Sequence, residues 1–190
     1  VNYVVNPAVL NIAISKTYDG NTSFSNANTY VISGARYNGD LMPTVASGSA
    51  TTNSANAGSY SSFVSSNLAL SNPNYTLVGG IVNATIDKAT LVLTGSRNYD
   101  GTTSISAANL AVNGVNSETF SISGTAELST KNVQLNQPLL SVSGLDLAPN
   151  GSAALSNYLP LSVSNSSVTI TPRPVTLIAP TINKVYDGGY

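Results

Sequence analysis

Residues 89–103 read ATLVLTGSRNYDGTT, and residues 8–22 read AVLNIAISKTYDGNT. The two stretches align position by position: Leu10, Ile12, Lys16, Tyr18 and Thr22 fall on Leu91, Leu93, Arg97, Tyr99 and Thr103. Each alternates apolar with small polar residues, the period of a strand with one buried face. Each then reaches Asp-Gly, a pair that tolerates the backbone of a tight turn. A strand running into a turn, repeated 81 residues later, is the mark of a repeat architecture.

Working outward, the motif occurs a third time at Tyr186-Asp187-Gly188, 87 residues beyond the second, with Lys184 in the place of Lys16 and Arg97. A second marker precedes each new copy: Asn74-Tyr75-Thr76-Leu77 leads to Ala84-Thr85-Ile86, and Asn157-Tyr158-Leu159 leads to Val168-Thr169-Ile170. The chain therefore divides into a first unit at 1–88, a second at 89–172 and the start of a third at 173–190. Leu91/Leu93, Phe120/Ile122, Val133/Leu135, Leu140/Val142 and Val168/Ile170 carry the strand period. Asn38-Gly39, Asn113-Gly114 and Asn150-Gly151 are further tight-turn pairs, and 104–111 has room for one helical turn. The fold class expected is all-β: tandem β-sandwich units of about 80 residues. The junction at 84–93 holds no flexible linker, and Pro172 and Pro174 stiffen the next. The units are expected to stack end to end as a semi-rigid rod.

Composition excludes much chemistry. The 190 residues contain no His and no Cys, which removes imidazole catalysis, thiolate nucleophiles, disulfides and the usual zinc ligands. Ser, Thr and Asn account for 70 residues, while charged residues are only 8% and the net charge is −1. That leaves no basic footprint for nucleic acid, and no apolar run approaches the length that spans a membrane. Val1 is not an initiator residue and Met42 is the only methionine, so a longer parent chain is expected.

Residues 99–172 resemble the YDG repeat of large exported bacterial adhesins. The resemblance rests on Tyr99-Asp100-Gly101-Thr102-Thr103, Ser123-Gly124-Thr125-Ala126, Lys131-Asn132-Val133, Pro138, Val142-Ser143-Gly144-Leu145, Ser156-Asn157-Tyr158 and Ile170-Thr171-Pro172, in that order. The first unit departs from this in its middle, where Asn38-Gly39-Asp40 and Asn56-Ala57-Gly58-Ser59-Tyr60 are similar to the related MBG repeats, making it a YDG/MBG hybrid. The resemblance implies a secreted or surface-exposed protein of filamentous-haemagglutinin type, exported by two-partner secretion, whose repeats support attachment or biofilm formation as a stalk. Its partners would be neighbouring repeats of the same chain.

Candidate sites follow. Lys16, Tyr18, Asp19 and Gly20, with Arg97, Tyr99, Asp100, Gly101 and Lys184, Tyr186, Asp187, Gly188, are expected to be structural residues of the seams between units. Lys16/Tyr18 and Arg97/Tyr99 lie two apart on a strand and share a face, so a cation beside the Tyr ring is expected. The alternative function is direct binding of polysaccharide or host-surface glycan, with Tyr37 and Tyr60 as stacking residues. No enzyme is expected. Asp19, Asp100 and Asp187 would sit ~30 Å or more apart in successive units, too far for a paired-carboxylate mechanism. No cofactor or metal is expected, since the acids are scattered and calcium needs six to eight oxygens. An isopeptide staple would need a buried Lys beside Asn or Asp, for which Lys131 next to Asn132 and Lys16 qualify by residue type alone.

Overall fold

A computed structural model describes residues 2–37, 39–181 and 183–188. The described chain is all-β with short 3-10 turns and no α-helix. The strands up to the first junction are β1 (Ala8–Val9), β2 (Asn11–Thr17), β3 (Ser23–Ser25), β4 (Thr29–Ser33), β5 (Val45–Ser47), β6 (Ser49–Thr51), β7 (Gly58–Tyr60), β8 (Ser65–Ser66), β9 (Ala69–Leu70), β10 (Tyr75–Thr76) and β11 (Val82–Asp87). Beyond it follow β12 (Val92–Asn98), β13 (Ser104–Ser106), β14 (Leu110–Asn113), β15 (Phe120–Glu127), β16 (Gln134–Gln137), β17 (Leu145–Pro149) and β18 (Ser166–Thr171).

One strand arrangement occurs twice. The sheet β4-β2-β11-β7 has its counterpart in β14-β12-β18-β16, and β3-β6-β8 has its counterpart in β13-β15-β17. In both large sheets the central pair is parallel: Lys16 lies opposite Ile86 in β2/β11, and Arg97 lies opposite Ile170 in β12/β18. The flanking strands are antiparallel. A parallel pair needs a long crossover, and here the crossover is the rest of the unit. The strand that closes each unit is therefore tied to the one that opens it.

Alternation explains the core. Ile12, Ile14 and Lys16 point to one side of β2, and Ser166, Val168 and Ile170 to one side of β18. Phe24, Ile32, Ala84 and Ile86 before the junction and Leu93, Ile105, Val112, Leu128 and Ile170 beyond it are buried, and all belong to one continuous apolar cluster. Each fully buried Leu, Ile or Phe contributes about 1.5–3 kcal/mol relative to exposure. Val133 and Leu135 depart from the expected inward pattern, at 52% and 70% exposed. Their strand β16 is an edge strand whose register slips between Gln134 and Gln137, with Asn136 at φ +50°. Gln134, between them, is turned inward, and both its amide atoms are buried without a partner among the described residues. Leu140 also faces out, and Leu139 takes the core position.

The helical turn expected near 104–111 is a 3-10 turn at 107–109, capped by the Ser106 hydroxyl accepting from the Ala108 N–H at 3.3 Å. Of the turn pairs, Gly39 and Gly151 take positive φ, and Asn38 lies outside the described residues. Gly114 does not; it precedes a 3-10 turn at 115–117, and the left-handed conformation passes to Asn116 and Ser117. Among the described residues no helix is long and apolar enough to cross a membrane.

Candidate functional site

The Tyr-Asp-Gly motif begins as a self-contained clamp. β2 leaves Lys16 on the buried face, and the chain then bends. The bend returns Asp19, so the ammonium donates to Asp19 Oδ1 at 2.7 Å and to the Asn21 carbonyl at 2.7 Å. Asp19 Oδ1 also accepts the Asn21 N–H at 2.9 Å. The second copy repeats this with Arg97, which pairs with Asp100 Oδ1 and donates to the Thr102 carbonyl at 2.6 Å. Asp100 Oδ1 takes the Thr102 N–H at 2.9 Å and its hydroxyl at 2.8 Å. These Thr102 bonds, followed by Arg97, hold the Asp100 carboxyl below its ordinary range. In the third copy Lys184 pairs with Asp187 at 2.9 Å. Gly20, Gly101 and Gly188 all lie at φ between +77° and +82°, a conformation that suits glycine.

The cation thus serves the turn. Side chains two apart on a strand are separated by ~7 Å along it, whereas the bend brings the carboxylate within bonding distance. The ring that Lys16 does cover is Phe24, at 5.1 Å from its centroid.

Tyr18 projects from the first clamp against the second unit. It is 7% exposed. Its hydroxyl donates to Glu118 Oε1 at 2.6 Å, and Tyr158 donates to the other oxygen, Oε2, at 2.7 Å. One carboxylate therefore bridges two tyrosines, one from each side of the junction. The rings of Tyr18 and Tyr158 meet edge to face at 5.5 Å, and Phe120 meets Tyr158 the same way at 5.3 Å. Such pairs contribute about 0.5–1.5 kcal/mol each beyond burial. Burial first, and then the bond and charge of Glu118, push both phenols above the ordinary tyrosine value.

Asparagines surround this centre. Asn116 Nδ2 donates to the Asp19 carbonyl at 2.8 Å. Asn157, itself buried, accepts the Ala57 N–H at 2.9 Å and donates to Asn56 Oδ1 at 3.1 Å. The connecting backbone is held as well: the Ala89 N–H donates to the Asn157 carbonyl at 3.0 Å, and the Leu159 N–H to the Ala89 carbonyl at 2.8 Å. A Cβ on Gly20 would stand 2.3 Å from Asn116 Nδ2, so close approach as well as positive φ favours glycine there.

The other named residues sit differently. Tyr99 is half-buried against its own unit, its N–H donates to the Thr171 carbonyl at 2.8 Å, and its hydroxyl has no hydrogen-bond partner among the described residues. Tyr186 is 91% exposed. Tyr37 is 60% exposed and borders a cleft of about 560 Å³ with Asp40 and Tyr75. Tyr60 donates to the Asn56 carbonyl at 2.5 Å and lies on β7, away from Tyr37. Lys131 and Asn132 are exposed, without the burial an isopeptide staple needs. Among the described residues no group of three or more acids could hold a metal ion.

Glu118, Asn116, Asn56 and the seam role of Asn157 were not legible as site residues. Asn157-Tyr158 was visible as a repeated marker, but Tyr18 and Glu118 stand 100 positions apart, and nothing local announces that they meet.

Residues 82–165 match the YDG domain family, which supports a YDG-type domain over this part of the chain. The match opens at β11, the last strand of the first large sheet, and takes in Glu118, Asn157 and Tyr158. No curated protein and no solved structure matches the chain.

Proposed function

We propose that the chain is a stalk or presentation segment of a secreted or surface-exposed bacterial adhesin, built from tandem units stacked into a semi-rigid rod. The observation that carries this reading is the Tyr18–Glu118–Tyr158 junction, where a turn repeated three times in the sequence packs one unit against the next. Rings, a shared carboxylate and an asparagine collar resist both bending and twisting. A surface of Ser, Thr and Asn keeps such a rod soluble without charge. The domain boundaries at 88 and 172 belong to the same proposal, with residues 173–190 opening a further unit.

Small-angle scattering of the chain tests the rod. One narrow set of extended particle dimensions is expected, broadened by Tyr18→Ala; a wild-type chain that samples many inter-unit angles would remove the reading. Surface labelling of cells producing the full protein tests export. The second reading, direct glycan binding, is supported by Tyr37, exposed beside a cleft. Saturable glycan binding lost in Tyr37→Ala would favour it.

A further inference from the structure

The outer face of the first large sheet carries an open trough. Alternation sends Ile14 and Lys16 of β2 and Ala84 and Ile86 of β11 inward, so Ser15 and Thr85 face out. The register sets Thr29, Ser15, Thr85 and Ser59 opposite one another across β4, β2, β11 and β7. They make one row of hydroxyls, about 14 Å from end to end at the usual strand spacing. Val31, Ala13 and Asn83 form a second row on the same face. Two clefts share Asn83 and Thr85, one of about 350 Å³ toward β7 and one of about 200 Å³ toward β4. The hydroxyls of the row and the Asn83 side chain have no hydrogen-bond partner among the described residues. Among those residues no charged side chain borders either cleft.

The second large sheet shows what a hydroxyl at this position bonds. Ser96 and Thr169 stand opposite each other there, as Ser15 and Thr85 do in the first. Thr169 is already taken: its hydroxyl accepts the Asn136 N–H at 3.2 Å and donates to Asn136 Oδ1 at 3.2 Å. Thr94 and Ser96 still border a cleft of about 530 Å³ on the β14 side, but on the β16 side the chain has bonded its own hydroxyl. The partner that suits the position donates and accepts at one point, as hydroxyls and amides do. In the first sheet β7 presents Ser59 instead, and Thr85 stays open.

We infer that this trough binds a short segment of an uncharged polysaccharide. Hydroxyl or acetamido groups of the sugar bond Ser15, Asn83 and Thr85, and a C–H face of the ring rests on Ala13 and on Val31, which is 63% exposed. Neutrality selects the class: a charged glycan would give up hydration against a face that offers no countercharge. A peptide strand would bond through its backbone at a sheet edge and not on this face. A trough open along its length suits a chain laid across it, where an end sugar would need a closed pocket. The inference rests on the glycan reading given above and moves its site from Tyr37 to the sheet face.

Backbone amide NMR of the 190-residue chain, titrated to millimolar concentration with chitotetraose and separately with cellotetraose, tests it. Saturable shifts are expected at 13–15, 29–31 and 83–85 with at least one of the two probes. Thr85→Val removes a hydroxyl at nearly constant shape and should weaken binding about fivefold, the loss of one hydrogen bond. Ala13→Glu stands a carboxylate on the floor of the trough and should weaken it at least about tenfold. Ala13 is exposed and Thr85 only partly buried, and a wild-type dispersion of amide signals shows that each variant folds. Tyr37→Ala should bind as wild type does. Three results would overturn the inference. Shifts confined to the Tyr37 cleft and lost in Tyr37→Ala would remove the trough and keep the glycan reading. Affinity unchanged in both trough variants would place binding elsewhere on the chain. No shift with either probe would remove the trough and the glycan reading together.

Discussion

Tyr18 and Tyr99 occupy the same place in the same motif, and the structure puts them to different use. Both follow a cation two residues back, both precede an Asp whose carboxylate holds the turn, and both donate their N–H to the closing strand of their own unit, at 2.8 Å in each case. Tyr18 continues into a neighbour and is covered by Tyr158 and Glu118. Tyr99 has no such neighbour among the described residues and stays half-exposed. The difference teaches that the motif carries two separable functions. The cation, Asp and Gly build the turn, which forms with or without a following unit. The tyrosine is the docking group, and its contribution depends on what it meets.

The largest expected effect breaks that comparison directly. Tyr18→Ala should cost about 3 kcal/mol, in line with deletion of a buried aromatic ring. Tyr99→Ala should cost about 1 kcal/mol or less, since little of its environment is lost. Urea unfolding of both variants measures the pair, and equal losses would show that the ring supports its own unit instead of the junction. Next comes the glycine. Gly20→Ala and Gly101→Ala both place an alanine at positive φ, a strain of about 1–2 kcal/mol. Gly20→Ala adds the collision with Asn116 and should cost more, by about 1 kcal/mol. A Gly101 variant as damaged as the Gly20 one would mean that turn strain alone matters.

A pH titration sharpens the same contrast. Tyr18 and Tyr158 have raised phenol pKa values in the folded chain, caused first by burial and then by Glu118. Their neutral forms therefore contribute stability that is full below the ordinary tyrosine value near 10, and it is lost as pH rises from there toward the folded values. Stability measured from pH 9 upward should fall, and Tyr158→Phe should flatten the fall. An unchanged slope in that variant would place the alkaline transition elsewhere. Asp100 runs the other way: its lowered pKa adds stability above the ordinary carboxylate value, which is lost as pH falls through the folded value. The smallest effect lies inside the second unit, away from its ends. Gln134→Leu replaces an inward amide that has no partner with an apolar side chain of similar size, and should leave stability unchanged or raise it by about 1 kcal/mol. A loss of stability would show that the amide is satisfied by water in solution.

Much of this was legible before any coordinates. The alternation in 10–16 and 91–97 marks strands because a period of two places every second side chain on one face. Asp-Gly marks the turn because the Asp oxygen can take the N–H two residues on. Both readings use interactions that span only a few positions. Val133 and Leu135 carry the alternation of a half-buried strand yet face outward on an edge strand, because alternation marks that two faces differ and not how the strand's pairing sets them against the core. Tyr37 and Tyr60 were chosen for their residue type, and burial alone separates the exposed ring from the partly covered one.

By itself, then, the sequence determined the β class, the repeat and the Asp-Gly turn, because each depends on neighbours along the chain; that the cation pairs with the Asp and not with the Tyr ring is seen only in the structure. Tertiary structure alone decided that Glu118 is shared between Tyr18 and Tyr158, that Asn157 reaches Asn56, and that Asp40 keeps one oxygen without a donor among the described residues. Those outcomes join positions up to about a hundred residues apart. A carboxylate's two oxygens are identical in sequence, and only the fold determines which one finds a partner.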